Sequence, residues 1–323
     1  MRNLLALPLV AAVACAGGAF KDQARDAMPS KDTVSMGSPN SSAQAAAASS
    51  GTALVSHDST AGDASAFARM TATVAVVFNV PTAVFLGLLQ HVVEDYEPIS
   101  CDASSCTWSG SGALDPVNYK LVVSRAADGT SFDWALSGAI KPGIEYVTFA
   151  TGVATPGPQR HHGSGSFTLD FDQAGLLAIA GDATGKMVVT SYSDVGPAHL
   201  DVNFTGANDT DHPGQKNNIV YSYANDNAGG GDLDFAVHNT TSDDRYSVHS
   251  RWKNDGRGRA DVAALTSGSG SLSLSECWGA APFNVVYFSS SVKVVVAPWG
   301  GPDSGSEAQC AYAPAAFSSK SAP

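Results

Sequence analysis

The chain is short of charge. Of its 323 residues 15% are Asp, Glu, Lys or Arg, against about 25% in an average soluble protein, and 18 basic residues face 30 acidic ones. A net charge of −12 leaves no cluster of Lys and Arg to neutralise phosphates, which excludes nucleic acid as an expected partner. No unbroken apolar run approaches the roughly 18 to 20 residues of a membrane-spanning helix, so the sequence reads against an integral helical membrane protein. Catalytic signatures are missing too. His162-Gly163-Ser164-Gly165 lacks the leading glycine of a nucleophile elbow and runs into a period-two strand. The adjacent His161 and His162 would point to opposite faces of a strand and cannot chelate together. No enzyme activity and no cofactor are expected.

What is present begins with an export signal. Residues 1–14 carry one positive charge at Arg2, an apolar run from Leu4 to Ala14 and small residues at Ala12 and Ala14, the pattern of a secretory signal peptide. Ala12-Val13-Ala14 fits an ordinary cleavage site. With Cys15 it also resembles the bacterial lipobox, Ala12 standing where that motif usually has Leu, and lipidation of Cys15 is the expected reading. The resemblance to bacterial lipoproteins implies an outer-membrane location, since Ala16 rather than Asp follows the cysteine; a plain exported protein with a free thiol is the alternative. Four cysteines remain, an even number in an exported chain. Local pairing of Cys101 with Cys106 and Cys277 with Cys310 is the simplest of three connectivities and would stabilise the fold by about 2 and about 4 kcal/mol in the chain-entropy model. The same spacing is a poor zinc pattern.

Residues 15–63 are rich in Ser, Ala, Gly and Thr and read as a disordered tether, with a root-mean-square reach of roughly 40 Å if fully flexible. Residues 64–316 then form one domain, and 317–323 a frayed tail. The domain opens helically over Ala66 to Val77 and again over Pro81 to Tyr96, with Pro81 at a first turn. Apolar side chains recur there at helical spacing. After Cys101 the period is two: Tyr119, Leu121, Val123; Phe132, Trp134, Leu136; Phe167, Leu169, Phe171; Leu200, Val202, Phe204; and so on through Leu272, Leu274. Turn signals such as Asp128-Gly129, Pro142-Gly143 and Asp255-Gly256 separate these runs. The fold class is therefore mainly β, a long antiparallel meander curving into a half-barrel or barrel packed on an N-terminal helix.

At fold level this looks like the lipoprotein-carrier and lipid-binding half-barrels of bacterial envelopes. The C-terminal third, through Ser250-Arg251-Trp252, Gly256-Arg257-Gly258-Arg259-Ala260-Asp261-Val262 and Ser275-Glu276-Cys277-Trp278, resembles a family of Gram-negative lipoproteins of unassigned function and implies no activity. About a dozen strands enclose more volume than one helix fills, so a hydrophobic pocket is expected, bordered by Phe85, Leu88, Leu89, Trp134 and Phe167. Its ligand would be a lipid or another hydrophobic molecule. A solid-cored structural or interaction protein of the envelope is the alternative, and a transmembrane β-barrel fits less well. A two-residue loop at Asp243-Asp244 would set His238 and His249 opposite each other, but no third ligand accompanies them. Asn208-Asp209-Thr210-Asp211 and Asp226-Asn227 with Asp232 and Asp234 lack the glutamate or repeats of calcium motifs and read as solvated loops. No metal is expected.

Overall fold

The computed structural model describes residues 10–39, 60–112, 115–209, 212–226, 228–267, 270–293, 301–315 and 321–323, with side chains from residue 18 onward. Three α-helices occur among them: α1 (Val10–Ala27), α2 (Ala66–Asp95) and the short α3 (Phe171–Gly175). The strands are β1 (Pro98–Cys101), β2 (Ser105–Gly110), β3 (Val117–Arg125), β4 (Phe132–Ile140), β5 (Val147–Pro156), β6 (Gly163–Asp170), β7 (Lys186–Ser193) and β8 (His199–Asn208). They continue with β9 (Lys216–Asn225), β10 (Gly231–Asn239), β11 (Arg245–Trp252), β12 (Gly258–Thr266), β13 (Gly270–Trp278), β14 (Val285–Ser290) and β15 (Ser304–Gly305). All fifteen pair in chain order, antiparallel, in one sheet that does not close.

The period-two pattern sorts the two faces of this sheet as expected. Val117, Tyr119, Leu121 and Val123 of β3 are buried on one side, as are Leu200 and Val202 of β8 and Leu233 and Phe235 of β10, while alternate residues face the other way. α2 lies on the apolar side. Its axis runs across the strands: Thr71 meets Ser250 of β11 through a 2.7 Å hydroxyl pair, Thr82 points its hydroxyl at Met187 Sδ of β7, and Phe85 stacks on Trp134 of β4. Thirty residues at 1.5 Å each give it about 45 Å of length, and thirteen of the thirty are buried.

Four expectations change. Pro81 does not start a second helix but sits inside α2; it lacks an N–H for the carbonyl four residues back, yet Thr82, Phe85 and Leu86 beside it are buried against the sheet and keep the helix continuous. The unbroken segment is long and apolar enough to cross a membrane by length and composition, which the division at Pro81 had concealed. The tether is folded where it is described. α1 and the segment after it bury Phe20, Met28, Val34 and Met36, bulky apolar residues that the small-residue composition masks, and Asn79 binds Met36 through both its backbone N–H and carbonyl at 2.8 Å. Residues 40–59 lie outside the described part. The tail is docked at its end: Ala322 is buried, and the Pro323 main-chain oxygen accepts from Asn218 Nδ2 at 2.8 Å and contacts His238 Nδ1 at 2.7 Å. Residues 316–320 are outside the described part.

Candidate functional site

The expected pocket residues come together, but on each other. Phe85 lies 6.3 Å from Trp134 and 5.7 Å from Phe167, ring centre to ring centre, and Trp134 lies 6.2 Å from Phe167, which meets Tyr192 at 6.2 Å. These are the offset and tilted contacts of a packed aromatic cluster. Phe85, Leu89, Trp134 and Phe167 are buried, and Leu88 is half-buried at its margin. Gly152, opposite Trp134, lets the indole lie flat on the next strand; a Cβ there would come within 2.4 Å of the ring. A cavity of about 60 Å³ is found elsewhere, at the start of α2 between Ser65, Ala68, Pro282 and Phe283, well below the several hundred Å³ of a typical ligand pocket. The indole N–H groups of Trp108 and Trp134 are buried and have no hydrogen-bond partner among the described residues.

Beside that cavity the N-terminus of α2 is held by a group the sequence reading did not single out. Glu276 stands on the apolar face of β13, fully buried between Leu274 and Trp278. Its Oε1 accepts from the Ser65 hydroxyl and from the Phe67 N–H at 3.3 Å, while Ser65 Oγ caps the helix by accepting from Ala68 N at 2.9 Å. A carboxyl at a helix N-terminus takes up donors that have no partner within the helix. At the far end of α2, Arg160 binds Glu94 at 2.6 Å and Asp26 at 2.8 Å, and His161 stands 3.2 Å from Glu94. The β5–β6 loop thus ties α1 to α2. His162 pairs with Asp194 instead, so the two adjacent histidines have separate partners.

The opposite face of the sheet carries a polar row. Ser191, Asp201, Ser222, Asp234, His249, Asp261, Ser275 and Ser289 are successive cross-strand partners from β7 to β14. Asp201 accepts from Ser191 at 3.0 Å and Ser222 at 2.7 Å. Asp261, almost fully buried, accepts from Ser275 at 2.6 Å and Arg259 at 3.0 Å. Burial comes from the C-terminal segment, which Cys277–Cys310 fastens across this face with Cα atoms 5.4 Å apart. Glu307 binds Arg259 at 3.0 Å, Ala313 O accepts from Arg251 at 3.0 Å, and Arg251 lies 5.0 Å from the Tyr312 ring centre. The other expected disulfide, Cys101–Cys106, closes the β1–β2 hairpin with Cα atoms 4.1 Å apart.

His238 and His249 are not opposite each other. Asp243 adopts a left-handed φ of 58° in a loop longer than two residues, so His238 pairs with Arg245 and His249 with Asp234. His249 Nε2 contacts Asp232 at 3.0 Å and His238 Nε2 contacts Asp243 at 2.9 Å. Asp226 turns its carboxylate onto Ala228 N and Gly230 N, while Thr210, Asp211 and Asn227 lie outside the described residues. Tyrosine hydroxyls on the apolar face titrate late: burial pushes Tyr192 and Tyr221 far above the ordinary value, with Asp194 adding to the effect at Tyr192. No family model, curated protein or solved structure matches the chain.

Proposed function

We propose that the chain is an envelope protein, anchored at Cys15, whose body is a solid-cored interaction platform and not a lipid carrier. The observation that carries this reading is the closure of Phe85, Trp134 and Phe167 on one another, which uses for packing the surfaces a lipid chain would occupy. Anchoring at Cys15 agrees with the signal-like residues 1–14, and the body would then stand close to the membrane. Cys15 lies in α1 five residues before the buried Phe20, about 8 Å along the helix axis, in place of a 40 Å tether. The test is mass spectrometry of organic extracts from natively purified protein: no stoichiometric lipid supports the platform, and a lipid at one per chain overturns it.

A second reading, a carrier for an apolar molecule with a hydrogen-bond acceptor, draws on one observation. The Trp134 indole N–H is buried within the expected site with no partner among the described residues, where such a group normally finds an acceptor. That reading requires the aromatic cluster to open, and Trp134→Phe would then weaken ligand binding while leaving the fold intact.

A further inference from the structure

We propose that α2 pairs antiparallel with α2 of a second copy of this chain, a step that rests on the platform reading and names its partner. The helix buries one side on the sheet and leaves an apolar stripe on the other: Val77, Val80 and Val84 are 43%, 57% and 71% exposed. Large valines at such exposure on consecutive turns form a contiguous patch. Gly87 continues the stripe, and a Cβ built there meets nothing within 4 Å, so close approach by another helix is open at that point.

The stripe is self-complementary. About a two-fold axis at the level of Thr82, Val80 faces Val84 of the other copy, Val77 faces Gly87, and Arg69 faces Asp95, each pair lying equally far on either side of Thr82 along the helix. Valine meets valine, a valine meets the glycine that admits it, and the cation at one end meets the anion at the other, twice over, as an isologous contact requires. Arg69 and Asp95 are both exposed, and Asp95 holds the neighbouring His91 at 2.5 Å, which sets its carboxylate toward solvent at the end of the stripe. A lipid surface is the poorer occupant: the stripe offers one arginine against one aspartate, and the chain is strongly acidic, whereas interfacial helices carry basic residues along their polar border. From Arg69 to Asp95 the stripe is about 39 Å long, and at roughly 10 Å width two copies would bury about 800 Å² in total, the size of a weak, reversible contact.

Sedimentation velocity on the full chain carrying Cys15→Ser, with disulfides intact, tests this. A reversible monomer–dimer equilibrium with a dissociation constant on the order of micromolar is expected. Val80→Glu and Gly87→Arg should each weaken it about tenfold or more by burying an unpaired charge, with unchanged circular dichroism. Arg69→Asp should weaken it, and adding Asp95→Arg in the same chain should restore it. A monomer throughout, a dimer indifferent to all four changes, or Val80-dependent binding to phosphatidylcholine–phosphatidylglycerol vesicles would each overturn the pairing. A tightly held lipid in the extract would overturn the platform reading and leave the dimerisation result standing on its own.

Discussion

Replacing Ser65 probes how the longest helix is fixed to the sheet. Its hydroxyl does two things: it accepts from Ala68 N at 2.9 Å as the N-cap of α2, and it donates to the buried carboxyl of Glu276. Removing an N-cap hydroxyl costs about 1 kcal/mol, and leaving a buried oxygen short of a donor costs about 1 to 3 more, so Ser65→Ala should lose about 2 to 4 kcal/mol in guanidinium unfolding with disulfides intact. Two further variants separate the terms. Glycine is nearly as good a cap as serine, with only a few tenths of a kcal/mol at stake, so Ser65→Gly should show the Glu276 contribution almost alone. Aspartate caps isolated helices as well as serine does, but here it would set a second carboxyl against a fully buried one; Ser65→Asp should therefore be at least as damaging as Ser65→Ala. A loss below about 0.5 kcal/mol for alanine, or a neutral aspartate, would refute the assignment of Glu276 as the group that seats α2.

At the β11–β12 turn Gly256 has φ +85° and an added Cβ would come within 2.6 Å of Phe283, so Gly256→Val should cost about 2 to 4 kcal/mol by thermal unfolding; an unchanged melting temperature contradicts the turn. Asp128 is held down to about 2, first by the Ser131 N–H, then by its hydroxyl and the Thr130 N–H. A lowered folded pKa adds stability that is complete above the ordinary carboxylate range and drains away as pH falls toward 2, so Asp128→Asn should flatten the acid limb of the stability curve between about pH 4 and pH 2; carboxyl NMR showing Asp128 titrating near 4 would contradict this. Cys277→Ser with Cys310→Ser should remove about 4 kcal/mol by opening the long loop and should free the C-terminal segment, read as faster proteolysis after Gly301; equal protection with and without the disulfide would show that the polar contacts of Arg251 and Arg259 suffice.

The meander was legible because inward side chains alternate without interruption in β3, β4 and β10, and in β8 as far as Phe204, where its register with β9 shifts. β7 was not, because the ladder slips between Val189 and Ser191 and puts Tyr192 on the apolar face out of phase with Met187 and Val189. The β11–β12 turn was legible from Asp255-Gly256, whereas the β10–β11 loop was not, since it spans residues 240–244 and not Asp243-Asp244 alone. Phe20, Met28, Val34 and Met36 are too widely spaced to show periodicity, so their packing against the sheet could not be read from the low-complexity stretch around them. Glu276 belongs to no motif that marks it as a functional group. A glutamate in phase with Leu274 and Trp278 signals a buried polar group, and its partner lies 211 residues away. Phe85, Trp134 and Phe167 meet one another, and periodicity does not tell a lined pocket from side chains that fill the space themselves.

The closed interior is tested most directly by titrating a fluorescent fatty-acid probe into delipidated protein while following the intrinsic emission of Trp134 in variants that keep it as the only interior tryptophan. The account predicts no saturable binding and no change in that emission. Stoichiometric binding that quenches Trp134 and is abolished by filling the cluster further, as with Leu88→Trp, would contradict it.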